Sequence, residues 1–268
     1  RALSGGEEPE HRYGTVLWPG PGLASQLEAM AGTLVDNPAC PTGFRFNAPE
    51  VVVATQQLAD LIADGVSPPL PEGETWDALF TSNYELIRSG RVGMWVQSSM
   101  SVGMEWAKYL KRSIGVAPLP KGVRPITSRS LTAYYIAADT PYVTACWDWI
   151  KFASGHIPRD GLPARRSLVM SDEFREYVGE EAQAAYLESL AYQHSQVFHD
   201  LKGLPGSGKA YIWLVQAAQE VLWRGANAQV TLDQAQQKAE DYLDCLHQCP
   251  DQKSTACADA CFERVDVP

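Results

Sequence analysis

NYELIRSGRVGMWVQSSM (83–100), IGVAPLPKG (114–122) and SRSLTAYYIAADTPYVTACWDWIKFAS (128–154) are the stretches whose reading decides the fold. The first is the end of a helix, a tight turn at Gly90 and a short strand over 92–96. A helix over 100–112 follows. The second stretch gives a strand from Ile114 to Leu119. The third is apolar and aromatic over 131–138, which reads as a buried strand. It then opens a helix with Thr140 as cap, Pro141 in the first position and Gly155 beyond the end. Strands alternating with helices in this way imply an α/β fold.

Working outward, YGTVLW (13–18) reads as a strand, followed by a Pro/Gly turn at 19–22 and a short helix over 23–31 closed by Gly32. After a loop over 37–46, Asn47, Pro49 and Glu50 read as N-cap, first-turn proline and capping-box partner of a helix. Val51, Ala54, Leu58, Leu61 and Ile62 recur on one face of that helix, and Gly65 ends it. A Pro/Gly-rich loop over 66–74 leads to a helix over 75–88. Helices are predicted over 171–194, 209–224 and 231–248, the last opened by Thr231 and Gln234 as a capping box.

With 268 residues, 45% of them hydrophobic, the chain can bury a substantial core. A net charge of −10 argues against a general nucleic-acid binder, which needs a basic face to displace counterions. No run approaches the roughly 20 apolar residues of a membrane-spanning helix.

GLPGSGKA (203–210) fits the first seven positions of a phosphate-binding loop. The eighth is Ala210, so the hydroxyl that would hold Mg²⁺ is missing, and no buried strand precedes it. A nucleotide-using enzyme acting through Gly203–Lys209 is therefore the alternative, not the first reading. The five histidines lack metal-ligand spacing, and no nucleophile elbow is present. No catalytic constellation, metal or cofactor is called for.

Cys245, Cys249, Cys257 and Cys261 form a C-x3-C, seven residues, then a second C-x3-C. A spacing of four puts each pair on one helical face. Pro250 breaks the first helix, so the second folds back antiparallel and sets Cys245 against Cys261 and Cys249 against Cys257. Four cysteines allow three pairings, and the nested one is a geometric choice. A zinc site using all four thiols is the rival reading. Disulfides would imply an oxidising compartment. Cys40, in a loop, and Cys146, in an apolar helix, stand apart from the quartet.

Ile87, Gly90, Arg91, Gly93 and Met94, then Gly115, Pro118 and Pro120, then Cys146, Trp147, Trp149, Ile150, Lys151 and Phe152 follow a recognisable order. They resemble the "F-x-x-G-K-x-A-M", "G-x-x-x-x-P" and "A-W-x-F-I-K-F" segments of the extracellular solute-binding proteins of ABC importers, the sugar-binding family 1. The resemblance covers residues 1 to about 245. It implies a periplasmic-binding-protein-like type II fold, mainly its C-terminal lobe, with the cysteine hairpin as an extension. It assigns 1–117 and 163–240 to that lobe, 118–162 to an excursion into the N-terminal lobe, and 241–268 to the hairpin. It also places most of the N-terminal lobe, roughly a hundred residues, upstream of Arg1. Apolar surface around Leu131–Ala137 and over 141–153 is then expected to be exposed, and ligand binding by these residues alone to be weak.

The function implied is capture of a carbohydrate or similar polyol in an interlobe cleft and delivery to a membrane permease. The protein would be a monomer, extracellular or periplasmic, anchored as a lipoprotein. A non-transport sensor on the same fold is a further alternative. Sugar sites want aromatic planes for the C–H faces and polar groups for the hydroxyls. By resemblance the ligand contacts are Trp18, Gln97, Ser98, Ser99, Met100, Arg129, Ser130, Arg165, Tyr211 and Trp213. Where the maltose-binding type has "G-P-W", this chain has Ser98-Ser99-Met100, which argues against maltodextrin as the ligand.

Overall fold

The computed structural model describes residues 3–6, 10–70, 73–98, 114–128, 133–158, 161–251 and 255–266. The helix expected over 100–112 lies outside them. The chain divides into two compact units. The first comprises residues 1–95, 120–128 and 193–268, and the second 96–119 and 129–192. The second unit does not coincide with the expected 118–162 excursion: residues 120–128 belong to the first unit, and the second runs from 96 and on to 192.

In the first unit, β1 (Tyr13–Val16) and β2 (Val92–Trp95) pair in parallel, with Tyr13 opposite Val92 and Val16 opposite Trp95. Between them run α1 (Pro21–Ala31), α2 (Pro49–Ala63) and α3 (Trp76–Arg88). A parallel pair needs such a crossover, because a tight turn cannot bring the chain back to the same edge. Two residues each of β3 (Ile126–Thr127) and β4 (Gln193–His194) form a second parallel pair. The core is helical. Leu23 and Leu27 of α1, Val51 and Leu58 of α2, and Leu214 and Ala218 of a later helix are buried together with Phe46 and Leu232.

Helix ends show where local signals lost to tertiary ones. Asn47 does not cap α2. Its amide donates to Asp233 Oδ1 at 2.8 Å, while Glu50 pairs with Arg45 at 2.8 Å. Ala48 occupies the cap position without a side-chain bond, and Pro49 needs no donor satisfied there. Thr75 does cap α3, accepting from the Ala78 amide at 3.2 Å. The expected strand over 114–119 joins no ladder among the described residues.

The second unit contains α4 (Val143–Ala153), α5 (Arg166–Val169), α6 (Asp172–Val178) and α7 (Glu180–Ala191). Thr140 and Pro141 lie ahead of α4 instead of opening it; the Thr140 hydroxyl accepts from the Tyr142 amide at 3.3 Å. The single helix expected over 171–194 is divided at Gly179, whose φ of +92° no L side chain adopts easily. A small core of Val169, Phe174, Ala182 and Tyr186 joins α5 to α7. Gln183 is buried across it and donates to the Val169 and Ser171 carbonyls at 2.8 and 3.0 Å.

The aromatic stretch expected as a buried strand is neither strand nor buried in its described part, 133–138. Tyr135 is 91% exposed, and α4 has no buried residue: Trp147, Trp149 and Phe152 all face outward. Apolar β-rich sequence becomes a strand only where a neighbour completes its ladder, and among the described residues none does.

The chain ends on α8 (Tyr211–Arg224), preceded by a 3-10 turn at Ser207–Ala210, then α9 (Ala228–His247) and α10 (Thr255–Asp266). α9 starts three residues ahead of its expected boundary. Asn227 caps it by accepting from the Val230 amide at 3.0 Å, and Thr231 lies inside the first turn. Disulfides join Cys245 to Cys261 and Cys249 to Cys257, with Cα separations of 5.7 and 6.2 Å.

Candidate functional site

The carboxyl ends of β1 and β2 carry the aromatic group that best fits a ligand. Open α/β sheets bind at that edge because helices and loops leave a crevice there. Trp18 follows β1 by two residues. Its ring lies 5.5 Å from that of Phe80, nearly parallel, and 5.0 Å from that of Tyr84. Trp18 and Phe80 are half-buried and Tyr84 is 39% exposed, so the group is supported from below and open at its rim.

The backbone beneath Trp18 is fixed at each step. The Leu17 amide donates to Ser67 Oγ at 3.2 Å, and the Leu17 carbonyl accepts from Asn83 Nδ2 at 3.2 Å. The Pro19 carbonyl accepts from the buried Gln219 amide at 2.9 Å. The Gly20 amide closes the turn onto the Trp18 carbonyl at 2.9 Å. A ring held this way loses little freedom when a ligand stacks on it.

The sequence reading missed Phe80 and Tyr84. The signal was present: they are four apart on α3 and so share a face, while Leu79, Asn83 and Ile87 are buried on the other.

The other expected contacts fare differently. Tyr211 and Trp213 are corrections. Tyr211 is 0% and Trp213 2% exposed, so neither presents a face to a ligand. Tyr211 packs among Phe44, Phe46 and Phe198. Burial, with Glu28 adding to it, pushes its phenol up. Trp213 stacks on Phe262 of α10 at 4.9 Å and meets Tyr242 edge-on at 5.5 Å. The C-terminal hairpin thus covers the ring that the sequence alone left available.

Arg165 lies in the second unit, exposed, with Nη2 on the Lys151 carbonyl at 3.2 Å and Ser154 Oγ at 3.0 Å. It closes the end of α4, where a cation is favoured by the helix dipole. Gln97 and Ser98 follow β2 directly in the chain and belong to the second unit. Ser99, Met100, Arg129 and Ser130 lie outside the described residues.

The Gly203–Lys209 loop is organised around the protein itself. The Gly208 amide, which a phosphate would need, donates to Asp200 Oδ1 at 2.9 Å. The amides of Leu204, Ser207 and Lys209 donate to the carbonyls of Leu201, Leu204 and Gly206. Lys209 pairs with Asp259 and lies 5.9 Å from the Phe262 ring. A carboxylate at the Gly208 amide and an ion-paired Lys209 do not match the anion cradle of a phosphate-binding loop.

No protein-family model and no curated protein matches the chain. Solved structures do. One is an ABC substrate-binding protein from Listeria monocytogenes in complex with cycloalternan, with TM-score 0.67 and 15% identity over 91% of this chain and 62% of that one. A second is the maltose/maltodextrin-binding domain from Bdellovibrio bacteriovorus bound to maltotriose, with TM-score 0.65 and 17% identity over 91% and 64%. A third is an ABC transporter solute-binding protein from Agrobacterium radiobacter in complex with ribitol, with TM-score 0.56 and 19% identity over 85% and 59%. This chain therefore spans about three fifths of the length of the first of these, 62% of it. With its parallel strands, crossover helices and aromatic edge, the chain has the periplasmic-binding-protein-like α/β fold of the ABC substrate-binding proteins.

Proposed function

We propose that this chain captures a carbohydrate or similar polyol for an ABC importer and delivers it to the membrane permease. The observation that carries the reading is the pinned Trp18, backed by Phe80 and Tyr84 at the carboxyl edge of β1 and β2. An indole plane suits the C–H face of a sugar ring, and Tyr84 adds a hydroxyl beside it. The three solved neighbours named above hold cycloalternan, maltotriose and ribitol, which agree with a hydroxyl-rich ligand. Gln97, Ser98, Ser99, Met100, Arg129, Ser130 and Arg165 remain proposed contacts on resemblance alone. Delivery to a permease implies an extracellular or periplasmic protein, anchored there as a lipoprotein and working as a monomer. The 118–162 excursion is proposed to belong to the N-terminal lobe.

A ligand screen tests the reading. Thermal shifts with oligosaccharides and polyols should exceed those with ATP and Mg²⁺. Stabilisation by ATP and Mg²⁺ with none by any carbohydrate or polyol would overturn it.

A further inference from the structure

The four hairpin cysteines are gathered more closely than two separate bridges require. The Sγ atoms of Cys249, Cys257 and Cys261 all lie within 4.8 Å of one another. The fourth sulfur, on Cys245, is bonded to that of Cys261. Cys245, Cys249 and Cys261 are buried and Cys257 half-buried. We propose that this quartet has a second state: in the reduced chain the four thiolates hold one soft divalent cation, of which zinc is the type.

The chemistry fits. Thiolates select zinc over hard cations. A tetrahedral S4 site with Zn–S near 2.3 Å sets its sulfurs about 3.8 Å apart. Reaching that arrangement requires both S–S bonds to open and Cys245, which stands outside the three-sulfur group, to turn its sulfur toward the others. Cys245 lies in the last turn of α9, Cys249 follows two residues after that helix ends, and Cys257 and Cys261 stand one turn apart on α10, so both sides of the hairpin supply two ligands.

The sulfurs do not depend on the bridges alone to stay together. Trp213 stacks on Phe262 and donates to Asp266 at 2.8 Å. The Tyr242 hydroxyl donates to the carbonyl of Gly206 at 2.9 Å and approaches that of Ala258 at 3.4 Å. These contacts join α10 to α8 and α9 alongside the S–S bonds.

The interconversion balances. A phosphine takes up one oxygen from water per bridge, giving its oxide, while two electrons and two protons convert the bridge to two thiols. The cation then displaces the four thiol protons, so its binding is tighter at higher pH. Exchange with two equivalents of a small-molecule disulfide, which leaves as four thiols, restores both bridges and removes all four ligands. The two states exclude each other, and each closes the same hairpin.

The test uses the 268-residue chain, reduced with a phosphine and titrated anaerobically with Co²⁺, then Zn²⁺. The reduced chain should take up one Co²⁺ with the visible bands and sulfur-to-metal charge transfer of a tetrahedral thiolate site. Zn²⁺ should bleach both, and the oxidised chain should show neither. The double variant Cys249→Ser/Cys257→Ser should lose the spectrum, and Cys40→Ser/Cys146→Ser should keep it. Far-UV circular dichroism follows the fold. Helix that is lost on reduction and restored by metal would support the proposal as fully as helix that never changes. A reduced chain that binds no Co²⁺, or a spectrum that survives Cys249→Ser/Cys257→Ser, would overturn it.

Discussion

The indole Nε1 of Trp213 donates to Asp266 Oδ1 at 2.8 Å, joining the start of α8 to the end of α10. With Phe262 stacked on the same ring, this contact makes Trp213 an anchor for the C-terminal hairpin. Trp213→Ala should therefore act on stability. Emptying a fully buried aromatic site costs about 3–5 kcal/mol, readable as a lowered urea midpoint. Carbohydrate affinity, measured where the variant is still folded, should stay near that of the parent. A fold of unchanged stability that binds sugar less tightly would return Trp213 to the ligand site.

Tyr211 and Tyr242 make opposite predictions although both are buried. The Tyr211 hydroxyl has no hydrogen-bond partner among the described residues. Removing an unpaired buried hydroxyl is close to neutral or stabilising, so Tyr211→Phe should not lower the denaturation midpoint. Tyr242 donates to the Gly206 carbonyl, and Tyr242→Phe should cost about 1 kcal/mol.

Tyr242 also bears on stability at alkaline pH. Burial, with Asp200 and Asp259 adding to it, pushes the Tyr242 phenol up to about 12. Above its ordinary value, near 10, the unfolded phenol ionises while the folded one keeps its proton. Stability is thus fully present below that value and falls as pH rises toward the folded one. Tyr242→Phe should flatten the decline in a pH series of urea midpoints. An unchanged slope would remove Tyr242 from the alkaline transition.

Gly208 is required by a close approach. A Cβ there would meet the Phe198 carbonyl oxygen at 2.6 Å, and Phe198 itself holds a φ of +62°. Gly208→Ala should cost about 1–3 kcal/mol through this overpacking. Gly22→Ala, in open space at the start of α1, should be neutral or slightly stabilising. Equal effects of the two substitutions would contradict the packing around the 203–210 loop.

Much of the fold is legible from local pattern, and the reasons are specific. α2 and α3 declare themselves by apolar spacing, and β1 and β2 by short apolar runs beside glycine turns. β3 and β4 are two residues each, too short for a period to show, and they exist only because residues 193–194 meet 126–127. The caps at Asn47 and Thr231 read well locally but lost to Asp233 and to Asn227, which the chain brings in from elsewhere or one turn earlier. Trp18 was visible as a candidate through resemblance. Its support by Phe80 and Tyr84 is a tertiary fact, and so is the covering of Trp213 by a hairpin some fifty residues later in the chain.

The central claim is that a hydroxyl-rich ligand stacks on Trp18, and the most direct test is saturation-transfer NMR. Oligosaccharides and polyols at millimolar concentration would be presented to the 268-residue chain and to Trp18→Ala, with each fold checked by circular dichroism. The parent should transfer saturation to the ring C–H protons of at least one of these ligands. Trp18→Ala should weaken that binding by about 1–3 kcal/mol, from the lost stacking and buried area. Transfer of equal strength to the same ligand in a folded Trp18→Ala chain, or none to any ligand in the parent, would contradict the account.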